Sequence, residues 1–529
     1  MQHKWKVVEG GAGAGAGGGG GDQRRRCVTA SLSMLIAATL AFLAYVAFFP
    51  YDGAGGLYRW WRCEGCADAA GGFAFDEAAM AQGPTAGGAR RRSPTTLSHI
   101  VFDVGASART WDKRRGYAEL WWRPGEMRGH VWLDEQPVGP WPAATCPPYR
   151  VSADASRFGD RASASRMARI VADSFLAVTA EMANGTTDSP EARWFVMGDD
   201  DTVFFPDNLV AVLNKYDHEE MHYVGAPSES VEQDVMHSYG MAFGGGGFAV
   251  SYPAAAELAK AIDGCLERYR LFYGSDQRVQ ACLSELGIPL TREPGFHQVD
   301  VRGDAYGMLA AHPLAPLVSL HHLDHIEPIS PGGKHGSPLD AARRLVRASR
   351  LDPARSLQQA FCYQRGPRYT WSVSVSWGYT VQLYPWAVAP HELEVPLRTF
   401  KTWRSWADGP FVFNTRPLSR DDACAQPAVF FLSAARNDTS SRGRGRGRNR
   451  ATVTEYTRRS AKPGAKECDR PSFLAASTVH TVRVFAPKMS PNEWTRAPRR
   501  HCCSTKRTRF GTELEVRIRY YGRGELTTP

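Results

Sequence analysis

Hydrophobic and polar positions along this chain follow two periods, and their order predicts a layered α/β domain followed by a β-rich region. The first apolar run, LSHIVFDVGAS from Leu97, reads as a strand closing on a glycine turn, and RTWDKRRGYAELWW has helical composition with Trp111, Leu120 and Trp121 turned to a core. HVWLDE from His130 and the stretch from Tyr149 to Ala153 supply two more strands. Between Ser163 and Glu181 the residues Met167, Ile170, Val171, Phe175 and Val178 keep helical spacing. WFVMGDDDTVFF, Trp194 to Phe205, sets three carboxylates between two apolar runs; a short helix to Tyr216 and the strand MHYVGAP follow. MAFGGGGFAVSY, Met241 to Tyr252, interrupts apolar segments with four glycines before an Ala-rich helix from Pro253. YGSDQRVQACLSELG predicts a further helix with Ser275 as cap and Asp276 in its first turn. Strands alternating with helices imply a mostly parallel sheet with its ligand beyond the carboxyl ends of the strands.

A Pro/Gly-rich boundary, PISPGGKHGSPLD at 328–340, separates this pattern from stretches of strand-like alternation: RYTWSVSVSWGYTVQLY, TVHTVRVFA and ELEVRIRYY. They predict a smaller β-rich C-terminal region over 336–529, with the tract RGRGRGRNR, Arg442 to Arg450, as a disordered insertion near 440–450.

The N-terminal portion changes the picture of where such a domain resides. Residues 10–21 are almost entirely Gly and Ala, Arg24, Arg25 and Arg26 follow, and Cys27 to Phe49 carries no charge. Such a stretch is long enough to span a bilayer, and it lacks a small-x-small cleavage site before Pro50. Arginines on its N-terminal side predict a signal anchor with a cytosolic tail over 1–26, a span over 27–49, a Gly/Ala/Arg-rich stem over 50–96 and a lumenal domain over 97–335. A cleaved signal peptide is the competing expectation.

Of the 11 cysteines, Cys27 falls in the span, which leaves ten for an oxidising lumen. Cys63 and Cys66 lack further zinc ligands nearby and suit a small stem disulfide. Asn184 and Asn437 open N-glycosylation triplets. The formal net charge of +10 is spread through the 529 residues, and a lumenal Arg-Gly tract would not meet RNA, so no nucleic-acid partner is expected.

The candidate chemistry centres on Asp199, Asp200 and Asp201. Three adjacent carboxylates flanked by Phe195, Val196, Phe204 and Phe205 repel one another in poorly screened surroundings, which calls for a hard divalent cation such as Mg2+ or Mn2+. The glycines of FGGGG would let backbone approach a ligand, but no Lys-Ser/Thr follows, so this is no P-loop. His321 and His322 precede Asp324, and imidazole mixed with carboxylates suits Mn2+ better than Mg2+ or Ca2+.

Taken in order, HIVF...ARTWDKRRGYAELWW, MRGHVWLDE, RWFVMGDDDTVFF, FGGGGFAVS, YGSDQRVQACL and LHHLD resemble the Fringe-like β-1,3-glycosyltransferases of glycosyltransferase family 31, specifically the plant branch with a C-terminal extension of unknown function. The resemblance covers about Leu97 to Pro331. It implies a glycosyltransferase A-type fold, a Rossmann-like mixed sheet flanked by helices, with Mn2+, a UDP-sugar donor, a glycan, glycoprotein or glycoside acceptor, inversion at the anomeric carbon and a Golgi location. Carried over by residue, Asp201 and His322 would hold the metal and Asp199 and Asp200 the metal–nucleotide assembly. Gly245 and Gly246 would lie near the sugar or acceptor, and Asp276 would be the catalytic base. Two departures stand out: Ser275-Asp276 replaces a pair of acids, and Asp103 stands where relatives carry an apolar residue or glycine. Two rivals remain from chemistry. Asp199-x-Asp201 also fits a haloacid-dehalogenase-type phosphatase, although no G-D-x-x-x-D follows, and a non-catalytic glycan-binding or scaffold protein could keep the same fold.

Overall fold

The computed structural model describes residues 93–184, 191–331, 336–367, 369–419, 421–439, 451–460, 468–508 and 511–529. The tail, the span at 27–49, the stem up to residue 92, Cys27, Cys63, Cys66 and the tract at 442–450 lie outside the described residues. Among the described residues no helix is long and apolar enough to cross a membrane.

The domain is built on a seven-stranded sheet. Its strands are β1 (Ile100–Gly105), β2 (Arg128–Leu133), β3 (Tyr149–Val151), β4 (Trp194–Asp199), β6 (Tyr223–Gly225), β7 (Phe248–Ser251) and β8 (Leu290–Arg292), with the two-residue β5 (Val203–Phe204) outside it. Their order is β3-β2-β1-β4-β7-β6-β8. β7 alone runs against its neighbours, pairing antiparallel with both β4 and β6, so the sheet is mostly parallel and mixed, as expected, with one reversed strand. The glycine loop leads directly into β7, and Gly247 takes φ +83 there, a left-handed conformation that suits glycine.

Alternation along β1 divides the core between the two faces. Ile100, Phe102 and Val104 join one cluster with Trp121, Phe204 and Leu209. Val101 faces the other way with Ile170, Val171, Leu258 and Leu283, so the helices Ala162–Ala183, Tyr252–Arg268 and Ser275–Glu285 cover that face. Cys265 and Cys282 staple the last two of these helices by a disulfide. The helix expected to be capped by Ser275 begins one residue earlier: Gly274 is its N-cap and Ser275 its first helical residue. A Cβ at Gly274 would sit 2.4 Å from Asp276 Oδ1, so glycine leaves that position open to the carboxylate.

The C-terminal region closes into an eight-stranded barrel of Gln359–Gly366, Tyr369–Ser376, Thr380–Tyr384, Ala428–Asn437, Ala451–Arg458, Thr481–Pro487, Glu513–Arg519 and His501–Arg507, in that order around it. Trp371, Val373, Val381, Phe430, Val482 and Val516 fill the interior. Tyr379 and Phe431, on the outside, join the core cluster of the sheet, so the two regions share apolar packing. A further strand, Phe400–Thr402, leaves the barrel connection and pairs antiparallel with β9 (Val301–Gly303) beside the site.

Candidate functional site

The three aspartates sit where β4 ends at the carboxyl edge of the sheet. A tight turn shapes them: Thr202 N donates to Asp199 O at 3.0 Å, and Asp199 N donates to Thr202 Oγ1 at 2.7 Å. The same hydroxyl donates to Gly245 O at 2.7 Å, which ties the acidic turn to the glycine loop. β5 then pairs antiparallel with β10 (Ser319–Leu320), Ser319 with Phe204 and Leu320 with Val203, and this register delivers the next residue, His321, to the turn.

His321 is buried, with Nε2 2.9 Å from Asp201 Oδ1 and 3.8 Å from Asp199 Oδ2. One donor atom from each of Asp199, Asp201 and His321 lies within 4.8 Å of the other two. The imidazole lies against Gly245, where an added Cβ would come within 2.1 Å of Cε1. Gly246 N donates to Gln298 Oε1 at 2.6 Å, fixing the loop from its far side.

On the opposite side of the acids, Arg114 Nη1 lies 3.0 Å from both Asp200 Oδ1 and Asp201 Oδ2. Thr110 Oγ1 donates to Asp200 Oδ2 at 3.4 Å. Both come from the start of the helix Trp111–Trp121, which Trp121 Nε1 pins to Thr202 O at 3.0 Å.

Electrostatics separates the three acids. Burial, reinforced by the neighbouring carboxylates and opposed by His321, pushes Asp199 up to about 7. Burial also raises Asp200, with Arg114 opposing. Burial works to raise Asp201 too, but the His321 charge and Arg114 outweigh it and hold this carboxyl well below the usual range. His321 is raised: burial opposes its charge, and Asp201 followed by Asp199 more than compensates.

A divalent cation fits this donor set. His321 Nδ1 is buried without a hydrogen-bond partner, Asp201 Oδ1 meets only the His321 ring at 2.9 Å, and the Asp199 side chain is 36% exposed. Two carboxylates and an imidazole suit Mn2+.

Of the residues anticipated from sequence, Asp199, Asp200, Asp201 and Gly245 meet here. Gly246 lies one step along the same loop, its added Cβ falling 3.1 Å from Gln298 N. Asp276 reaches that loop from the first turn of its helix: Oδ2 accepts from Gly244 N at 3.3 Å and Oδ1 from Gln277 N at 3.0 Å. Burial raises its pKa against those two backbone donors, and its charge in turn contributes to raising Asp199.

His322 is placed differently from the expected metal ligand. Its backbone turns left-handed at φ 52, and its Nδ1 lies 3.0 Å from Asp300 Oδ1. Its ring stacks on Trp403 at 4.5 Å and 3°. The histidine grouped with the acids is therefore His321, with His322 beside it at a ring separation of 3.9 Å. Arg114, Thr202, Gln298 and Asp300 were not singled out in the sequence; the basic run around Arg114 was visible, but its partner lies 86 residues away.

The arrangement defines an α/β protein with a candidate carboxylate–imidazole cation site at the carboxyl end of a central strand, beside a glycine loop and an acidic helix start. The chain belongs to the family described as "Protein of unknown function, DUF604", which matches residues 233–503, and residues 154–305 match the family described as "Fringe-like". The second match contains Asp199, Asp200, Asp201, Gly245, Gly246 and Asp276, and the first contains His321 and His322. The Fringe-like resemblance thus holds, and with it a family of glycosyltransferases that typically depend on a divalent cation. No curated protein matches the chain.

Proposed function

We propose that this protein is an inverting, Mn2+-dependent glycosyltransferase of the A-type fold that moves a sugar from a UDP-sugar to a hydroxyl of a glycan or glycoside in β-1,3 linkage. The observation that carries the reading is the grouping of Asp199, Asp201 and His321 within 4.8 Å in a chain with a Fringe-like match across the acidic turn.

Asp201 and His321, with Asp199, would hold the cation, and Arg114 keeps the far oxygen of Asp201 engaged so that Oδ1 faces the site. When bound, the cation supplies Lewis-acid neutralisation of the donor diphosphate. Gly245 gives His321 room to lie in the site, and the Gly244 and Gln277 N–H groups hold the Asp276 carboxylate at its mouth. Asp276 accepts the proton of the acceptor hydroxyl as that oxygen attacks the anomeric carbon and the UDP oxygen leaves from the opposite face. The raised pKa of Asp276 makes it a better proton acceptor than an ordinary surface aspartate.

The uncharged stretch Cys27 to Phe49 and its preceding arginines support a single-pass type II Golgi membrane protein with this domain in the lumen. The described disulfides Cys265–Cys282, Cys362–Cys503 and Cys424–Cys468 suit that compartment, as do N-glycans at Asn184, exposed at a helix end, and at Asn437.

The test is UDP release by the purified full chain from a panel of UDP-sugars, with and without Mn2+, beside Asp201→Ala. Mn2+-dependent release that Asp201→Ala abolishes without unfolding is the expected result. Glycan binding with no release from any donor would favour the non-catalytic reading, and phosphate release from monoesters the phosphatase.

A further inference from the structure

The C-terminal region brings one short segment to the site, Thr402-Trp403-Arg404-Ser405-Trp406-Ala407. Strand Phe400–Thr402 aligns Lys401 with Arg302 of β9, and the chain then closes a turn in which Thr402 N donates to Ala407 O at 2.9 Å. Glu232, from the helix Val231–Met236, fixes this turn from outside: its Oε2 accepts from Arg404 N at 3.1 Å and from Ser405 N at 3.4 Å, and its Oε1 accepts from Ser405 Oγ.

The turn is built at a cost. Trp406 takes φ 56, a left-handed conformation that a bulky side chain rarely adopts, and the residue is 54% exposed. Neither feature helps this region to fold: the conformation is strained, and the large apolar surface stays in water. The Arg302 guanidinium lies 4.1 Å from the Trp403 ring and 5.4 Å from that of Trp406, so a fixed cation joins the two indoles. Trp403 in turn stacks on His322, whose ring is 3.9 Å from that of His321. The exposed indole is thus linked to the His321 corner through one guanidinium and two ring contacts.

We propose that this turn, with Arg302, is a saccharide-binding shelf for the acceptor. The apolar face of a sugar ring stacks on Trp406, and its hydroxyls accept hydrogen bonds from the Arg302 guanidinium, which has five N–H donors. A single exposed indole beside arginine and serine suits one amphipathic ring better than the broad apolar patch of a protein partner. The term acceptor rests on the glycosyltransferase reading; the binding of a saccharide does not.

The test uses Trp406→Ala and Trp406→Tyr in the full chain. Two readouts are taken: binding to an immobilised array of galactose-, glucose-, N-acetylglucosamine- and fucose-terminated oligosaccharides, and acceptor-free UDP release from the donor panel. Trp406→Ala should weaken saccharide binding about tenfold or more, Trp406→Tyr should restore most of it, and UDP release should change by less than about twofold in both. Array binding equal in wild type and Trp406→Ala, or no array binding by the wild type, overturns the shelf. So does a lower sedimentation mass in Trp406→Ala with glycan binding unchanged, which would make the indole a contact between copies. Trp406-dependent glycan binding without UDP release keeps the shelf and removes the enzyme; UDP release with Trp406-independent binding does the reverse.

Discussion

Two histidines adjacent in sequence each face an aspartate at about the same distance, and they do opposite work. His321 lies 2.9 Å from Asp201 and His322 3.0 Å from Asp300. Around the first pair stand two more carboxylates and an orphaned ring nitrogen, and the imidazole's pKa is raised. Around the second, Asp300 is already satisfied by Ser228 Oγ at 2.7 Å, Trp403 covers the ring, and burial followed by repulsion from His321 lowers the imidazole's pKa. The first pair is a candidate site for a cation, and the second is a satisfied polar contact beside it. Residue type and pairing distance do not distinguish these roles; what remains unpaired does.

The comparison can be broken at several points. The largest effect is expected where the open corner meets the chemistry: Asp276→Asn should lower turnover by about 10²–10⁴-fold while Mn2+ still raises the melting temperature. Turnover near wild type would remove Asp276 from proton transfer. Next comes the direct contrast. Mn2+ at about 100 times its Kd stabilises a protein that binds it by about 2.7 kcal/mol. That stabilisation should vanish in His321→Ala and persist in His322→Ala, and the reverse pattern would return the metal to His322. Smaller still is Gly245→Ala, whose Cβ would meet the His321 ring at 2.1 Å. About 1–3 kcal/mol of stability should be lost in chemical denaturation, together with Mn2+ affinity, and an unchanged affinity would show that the ring position is not critical.

The smallest effect lies away from both pairs. Asp103 is fully buried in β1, where Trp132 Nε1 donates to it at 2.7 Å, and burial raises its pKa to about 7. An acid raised on folding keeps the native state more protonated. Its contribution is therefore complete below the unfolded value of 3.8 and is lost as pH rises through about 7. Asp199 and Asp234, also raised to about 7, add to the same slope. Asp103→Asn should therefore flatten, without abolishing, the fall in melting temperature between about pH 4 and 7 that these three acids predict; an unchanged slope would mean that Asp103 does not titrate there.

Much of the sheet was legible because its strands are short apolar runs between helices of clear period, and the acidic turn was legible because three carboxylates between phenylalanines require an explanation. The choice between His321 and His322 was not. Successive residues leaving a strand point to different sides, and which side faces the acids depends on the pairing of β5 with β10 across a separation that sequence spacing does not encode. The apolar segment that becomes β7 was visible, but neither its strand nor its antiparallel pairing with β4 and β6 was. The alternating C-terminal stretches announced strands, yet nothing local told that they close into a barrel or that Trp403 would reach His322 from 81 residues away by the numbering.

The barrel seam has a consequence for how the protein is made. Its first strand, Gln359–Gly366, meets His501–Arg507 through only two register pairs, Ala360 with His501 and Phe361 with Cys502, and Cys362 bonds to Cys503 beside them. Trp403 and Trp406 lie within the 141-residue separation that this bond closes. At ribosomal speed, Cys362 waits on the order of ten seconds for its partner to be synthesised. The first half of the site can assemble early in the life of the chain, but the ring that braces His322 is set within a structure whose last strands, His501–Arg507 and Glu513–Arg519, are synthesised long after the acids. A nascent chain cut short before residue 501 would carry every acid of the cation corner and no closed barrel behind them.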